Sequence, residues 1–250
     1  MATFFLLGFL PSAAQNLGSL EVSGRVKIEG KQEKLSRKRF YLLRGGLAEN
    51  NALVERLKAA EITSRDCYYT GISASPQFVC WLQAGNCESP YCRDISKEDI
   101  AKVPEFQVAY NKGLTRYGKK PLIAQDWLTT NLLPNLVSGF YLQRKSLANM
   151  LLGNNKPLQS SMTDSVTVKA VFIDIELSTA GKKTETFTVS NILPLEFGAK
   201  SYLWACEIEI GGDKPAIMRL QVPENNKPVK NCEVIVRDLK VCKTGSCDRT

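Results

Sequence analysis

The sequence predicts an α+β protein, a Cys-rich helical block joined to an antiparallel β-sandwich or barrel-like domain. Three observations carry that expectation. Apolar residues recur at every second position over 20–46 and again beyond 165, the period of a half-buried strand. Between those stretches the period lengthens to three or four, and prolines open successive segments. Eight cysteines fall into two quartets, Cys67, Cys80, Cys87, Cys92 and Cys206, Cys232, Cys242, Cys247.

Residues 1–14 read as a signal peptide. Phe4–Leu10 is an apolar run, Pro11 breaks it, and Ser12-Ala13-Ala14 suits cleavage before Gln15. No basic residue precedes the run, which departs from the usual pattern. Residues 15–46 read as N-terminal strands, with Leu20, Val22, Val26 and Ile28 alternating before Phe40–Leu43. Residues 47–152 read as the helical block. Leu53, Val54 and Leu57 share a helical face, Ser96 and Asp99 form a capping box, and Pro104, Pro121 and Pro134 begin new segments. Leu136, Val137, Phe140, Tyr141, Leu147, Met150 and Leu151 are expected on one face of a helix that Gly153 closes.

Residues 153–164 are polar and read as a linker, and 165–250 as the C-terminal antiparallel domain. There, Val166 and Val168 alternate in one phase, and Val171, Ile173, Ile175 and Leu177 in the other, which predicts a bulge near Lys169-Ala170. Tyr202, Trp204, Cys206, Ile208 and Ile210 are expected to share one strand face.

Residues 20–44 contain Val22-Ser23-Gly24-Arg25-Val26 followed by Arg39-Phe40-Tyr41-Leu42. This opening resembles carboxypeptidase-regulatory-like (transthyretin-like) β-sandwich domains. The resemblance implies a non-catalytic sandwich module with an adhesive or structural role. The helical block then interrupts where the third strand of such a domain would follow, so residues 47–152 could be an insertion between paired strands.

The chemistry is bounded mainly by what is missing. The chain has no histidine, which removes Ser-His-Asp and Cys-His catalysis and His-ligated metal sites. The closest cysteine spacings, Cys87-x4-Cys92 and Cys242-x4-Cys247, are wider than the pairs of structural zinc sites, so all eight cysteines are assigned to disulfides, segregated within the quartets. Lys243-Thr244-Gly245 stands without the S-x-x-K that penicillin-recognising enzymes need. The net charge of +8 gathers only at Lys31, Lys34, Arg37, Lys38 and Arg39, without a nucleic-acid docking motif.

No cofactor, metal, catalytic residue or nucleic acid is expected, and no apolar run reaches the ~18–20 residues of a membrane-spanning helix. The expectation is therefore a periplasmic or secreted, non-enzymatic binding or structural protein whose partner is an envelope protein or glycan. Trp81, Tyr91 and Trp127 are its candidate binding residues, within an aromatic cluster near the first quartet. The alternative is an envelope glycan hydrolase using paired acids, with Asp94, Asp99, Glu105 and Asp126 as candidates.

Overall fold

The computed structural model describes residues 16–178, 184–212, 214–224, 227–240, 242 and 247. The expected signal peptide and the Lys-Thr-Gly element lie outside them. The α+β class holds, with strands and helices in two compact units. One unit takes residues up to Val54, Asn155–Asn191 and Trp204–Val234; the other takes Glu55–Asn154, Ile192–Leu203 and Ile235 onward.

The first unit begins with β1 (Leu17–Ser23), β2 (Arg25–Ile28), β3 (Lys31–Lys34) and β4 (Arg39–Arg44). The turn joining β2 to β3 is Glu29-Gly30, both at positive φ, as a two-residue hairpin loop requires. The chain then passes through the helices of the second unit and returns as β5 (Gln159–Met162), β6 (Lys169–Glu176) and β7 (Thr184–Ser190). After β8 (Leu195–Phe197) come β9 (Lys200–Gly211), β10 (Ala216–Arg219) and β11 (Cys232–Asp238). A small sheet runs β10-β1-β6, and a larger one runs β11-β9-β7-β4-β5 with β8 also on β9.

The N-terminal strands therefore pair with the later ones, β1 with β6 and β10, β4 with β5 and β7. The β1–β10 pairing is parallel, a departure from the all-antiparallel expectation. Leu20, Val22, Phe40, Leu42, Phe172, Phe187, Val189 and Trp204 are buried in this unit. The Trp204 indole N–H donates to the Gln221 carbonyl at 2.6 Å, so the largest buried side chain leaves no polar group unpaired.

Two expectations fail here for legible reasons. The stretch 153–164 is not only a linker, because Gln159–Met162 forms β5. Its polar residues serve a strand that bridges two sheets: Gln159 donates to the Ile173 carbonyl at 2.7 Å, and Ser161 Oγ accepts the Val171 amide at 3.1 Å. The bulge also lies later than Lys169-Ala170. Ala170 and Phe172 are buried while Val171 and Ile173 face out, and the register with β1 slips between Phe172 and Ile175. Asp174 sits in the slip at φ 52°, a conformation Asp tolerates far better than the β-branched residues around it.

The second unit starts within α1 (Asn51–Ala59) and continues with α2 (Arg65–Gly71), α3 (Pro76–Ala84), α4 (Lys97–Lys102), α5 (Pro104–Arg116), α6 (Pro121–Asp126), α7 (Leu128–Asn131) and α8 (Phe140–Leu152). The Ser96–Asp99 capping box is present in full, and Pro104 and Pro121 open their helices as expected. A π-helical turn, Asn135–Gly139, precedes α8. It shifts the helix phase, so the buried stripe is Leu136, Phe140, Arg144, Ala148, Leu151 and Leu152, while Tyr141 and Met150 face solvent, against expectation.

All eight cysteines are paired, but the quartets do not segregate. Cys87–Cys92 and Cys206–Cys232 stay within a quartet; Cys67–Cys242 and Cys80–Cys247 cross between them. Each bridge nonetheless stays within one compact unit, because the residues from Ile235 onward belong with the helices. Spatial unit, not sequence neighbourhood, decides the pairing.

Candidate functional site

The three aromatic candidates separate sharply by exposure. Trp81 lies on α3, whose Phe78, Val79, Trp81 and Leu82 are all buried. It is only 5% exposed, stacks edge-on against Phe106 at 5.0 Å, and carries the Arg93 guanidinium over its ring at 4.3 Å. Trp81 is thus a core residue and is withdrawn from the binding set. Tyr68, Tyr69, Phe78, Phe106 and Phe140 continue the same cluster through a chain of ring contacts. Burial pushes the Tyr69 hydroxyl well above the ordinary phenol range, and it donates to the Glu88 carbonyl at 2.9 Å. Tyr91 and Trp127, by contrast, are 60% and 55% exposed. Trp127 follows α6, one helical turn after Ile123, to whose carbonyl its amide donates at 3.1 Å.

The candidate acids have local duties or stand apart. Burial alone would raise the Asp99 carboxyl, but the Ser96 amide, the Trp81 side chain, the Arg93 charge and the Ser96 hydroxyl together outweigh it and hold the pKa below the usual range. Glu105 accepts the Ser75 amide and hydroxyl at 2.6 and 2.7 Å, tying α5 to the start of α3. Asp94 and Asp126 are exposed.

A buried polar cluster lay outside the sequence reading. Glu196, on β8, accepts the Arg65 amide at 3.0 Å and lies 3.8 Å from Arg144, with desolvation raising its pKa despite both. The Arg65 guanidinium reaches Asp66 at 2.8 Å and the Cys87 carbonyl at 3.1 Å, and Gln83 donates to the second Asp66 oxygen at 2.6 Å. Arg144 donates to the Pro194 carbonyl at 2.6 Å. The signals were present: a single acid inside the apolar run Ile192–Phe197, and an arginine on the stripe between Phe140 and Ala148.

A cleft of about 640 Å³ in this unit is lined by Leu57–Ser64, Pro194, Ser201, Leu203, Ile235, Arg237–Lys240, Cys67 and Cys242. Its central cation is already committed. Arg237 donates to the carbonyls of Leu57, at 3.0 Å, and of Lys58 and Ala60, which are the groups left unpaired where α1 ends. Ser64 Oγ caps α2 by accepting the Cys67 amide at 3.2 Å. Neither Glu196 nor Asp66 lines the cleft. Among the described residues no three Cys, Asp or Glu side chains gather as metal ligands.

No family model, curated protein or solved structure matches the chain. Among the described residues no helix is long and apolar enough to cross a membrane.

Proposed function

We propose that the chain is an extracytoplasmic, non-enzymatic binding or structural protein that meets its partner through exposed aromatic residues of the helical unit. The observation that carries this reading is Trp127, a large aromatic left 55% exposed beside a well-packed aromatic core. Four disulfides support placement in an oxidising compartment, periplasmic or secreted. The pairing of β1 and β4 with later strands supports a sandwich-like module with a structural or adhesive role. The hydrolase alternative draws less support, because Glu196, the acid with a raised pKa, is engaged by Arg65 and does not line the cleft.

The test uses oxidised full-length protein immobilised against envelope extract and against labelled peptidoglycan. Trp127→Ala and Tyr91→Ala are expected to weaken retention of the partner without changing the melting temperature. Release of soluble label from peptidoglycan, abolished by Asp94→Ala or Asp126→Ala in folded protein, would overturn the reading in favour of the hydrolase.

A further inference from the structure

The segment from α5 through the residues after α6 combines exposed cations with exposed apolar side chains. Residues 106–125 carry Lys112, Arg116, Lys119 and Lys120 and no carboxylate at all. On α5, Phe106, Ala109 and Gly113 face the core. Val108, Lys112 and Arg116, spaced by four, therefore form one outward stripe, and all three are exposed. The next helix is held close to this one. A Cβ at Gly113 would sit 3.2 Å from the Ala124 methyl, so small residues set the approach of α6. From α6 and the residues after it, Leu122, Trp127 and Leu133 are all more than half exposed. The acids flanking this stretch in sequence are Glu105, whose carboxylate accepts from Ser75, and Asp126, which is exposed.

We infer that this face docks on the surface of a bilayer containing anionic phospholipid. The inference rests on reading Trp127 as a recognition residue and narrows its partner. Exposed aliphatic side chains would enter the acyl boundary, an indole belongs at the headgroup level, and lysines and arginines extend toward phosphates. Four exposed cations against one exposed flanking carboxylate, Asp126, leave a net positive patch, which matches a negative surface. Protein interfaces deplete lysine, and three of the four cations here are lysines. Nucleic acid would leave Val108, Leu122 and Leu133 without a role.

The experiment follows tryptophan emission of the full oxidised chain on adding phosphatidylglycerol–phosphatidylcholine vesicles or pure phosphatidylcholine vesicles. The chain has three tryptophans, and Trp81 and Trp204 are buried, so a change reports Trp127. A blue shift with the anionic vesicles, reversed by salt, is expected. Lys119→Gln and Lys120→Gln should each weaken partition about fivefold, and Leu122→Asp, another exposed position, should weaken it by about tenfold or more. Unchanged emission with anionic vesicles, or equal binding to both compositions, would overturn the inference. If emission is unchanged but Trp127→Ala still loses the partner from envelope extract, the lipid inference fails and the broader binding function stands with a protein or glycan partner. If both tests fail, both readings fall.

Discussion

The two units of this chain reach order by different means. In the β unit, strands up to eight residues long share ladders of backbone hydrogen bonds, and one disulfide joins Cys206 to Cys232. Among the described residues of the helical unit no helix exceeds 13 residues, and several have four to seven. Isolated helices below ~12–15 residues are marginal in water, so their order must come from tertiary contacts. That unit holds the aromatic core and three of the four disulfides. The cross-links gather where local backbone structure is least able to sustain itself.

The largest expected effect tests that difference. Converting both Cys67 and Cys242 to Ser opens a ring of only roughly 18 residues, because Cys80–Cys247 still closes the long one, and should cost about 3 kcal/mol. Converting Cys80 and Cys247 as well also releases the ring of 167 residues that the second bridge still closes. The combined cost should approach about 8 kcal/mol, comparable to the whole stability of a domain. Loss of Cys206–Cys232, spanning 26 residues, should cost about 3.5 kcal/mol. Denaturant unfolding read by circular dichroism and tryptophan emission checks the order. A larger loss from the β-unit bridge than from the two long bridges together would break the comparison.

Within the helical unit, Trp81→Ala and Trp127→Ala should divide stability from recognition. Emptying the Trp81 site in the aromatic core should cost about 3–5 kcal/mol and lower the melting temperature. Trp127→Ala should stay within about 0.5 kcal/mol of the parent in stability. Its partner affinity should fall roughly thirtyfold. A shared loss of stability would place both rings in the core.

These two residues also show how far the sequence could be read. Both sit in a Cys-rich, aromatic stretch, yet α3 is apolar on almost every side around Trp81, the mark of a fully buried helix. Trp127 follows a helix with only Ala124 buried. Local periodicity therefore recovered the helices with caps and prolines, the strand-rich ends and the existence of disulfides. It missed β5, because Gln159–Met162 has no apolar alternation and is ordered by side chains reaching another strand. It missed the bridge pattern, because the unit joined by the last residues is decided by long-range packing rather than by cysteine spacing. The Glu196 cluster escaped because Arg65, Arg144 and Glu196 are far apart in sequence and meet only on folding.

A smaller effect is expected at Gly139, in the π-helical turn before α8. A Cβ there would collide with the Tyr68 hydroxyl oxygen, which donates to the Asn135 carbonyl at 3.1 Å. Gly139→Ala should therefore displace the phenol and cost about 1–3 kcal/mol, from overpacking and a lost hydrogen bond. Adding Tyr68→Phe removes the oxygen in the way, so the alanine should cost less in that background. Equal costs in both backgrounds would assign the penalty to the π turn itself.

The smallest effect is a matter of sign, at Glu196. Desolvation raises its pKa above the ordinary 4.5, although the Arg65 amide, Arg65 and Arg144 all favour the charged form. Below 4.5 the carboxyl is protonated in both folded and unfolded chains. As the pH rises, the unfolded chain releases its proton first. The folded chain then holds more protons, so this group's contribution to stability falls until the folded carboxyl ionises too. Glu196→Gln keeps a neutral side chain able to accept the Arg65 amide. It should match the parent in acid and gain on it as the pH rises through the interval above 4.5. Denaturant midpoints of both proteins between pH 4 and 8 measure the difference. A parent that instead pulls ahead of the variant with rising pH would show that Arg144 and the Arg65 amide outweigh desolvation. Glu196 would then act as a stabilising ion partner, and the helical unit would owe part of its order to a buried salt bridge as well as to its cross-links.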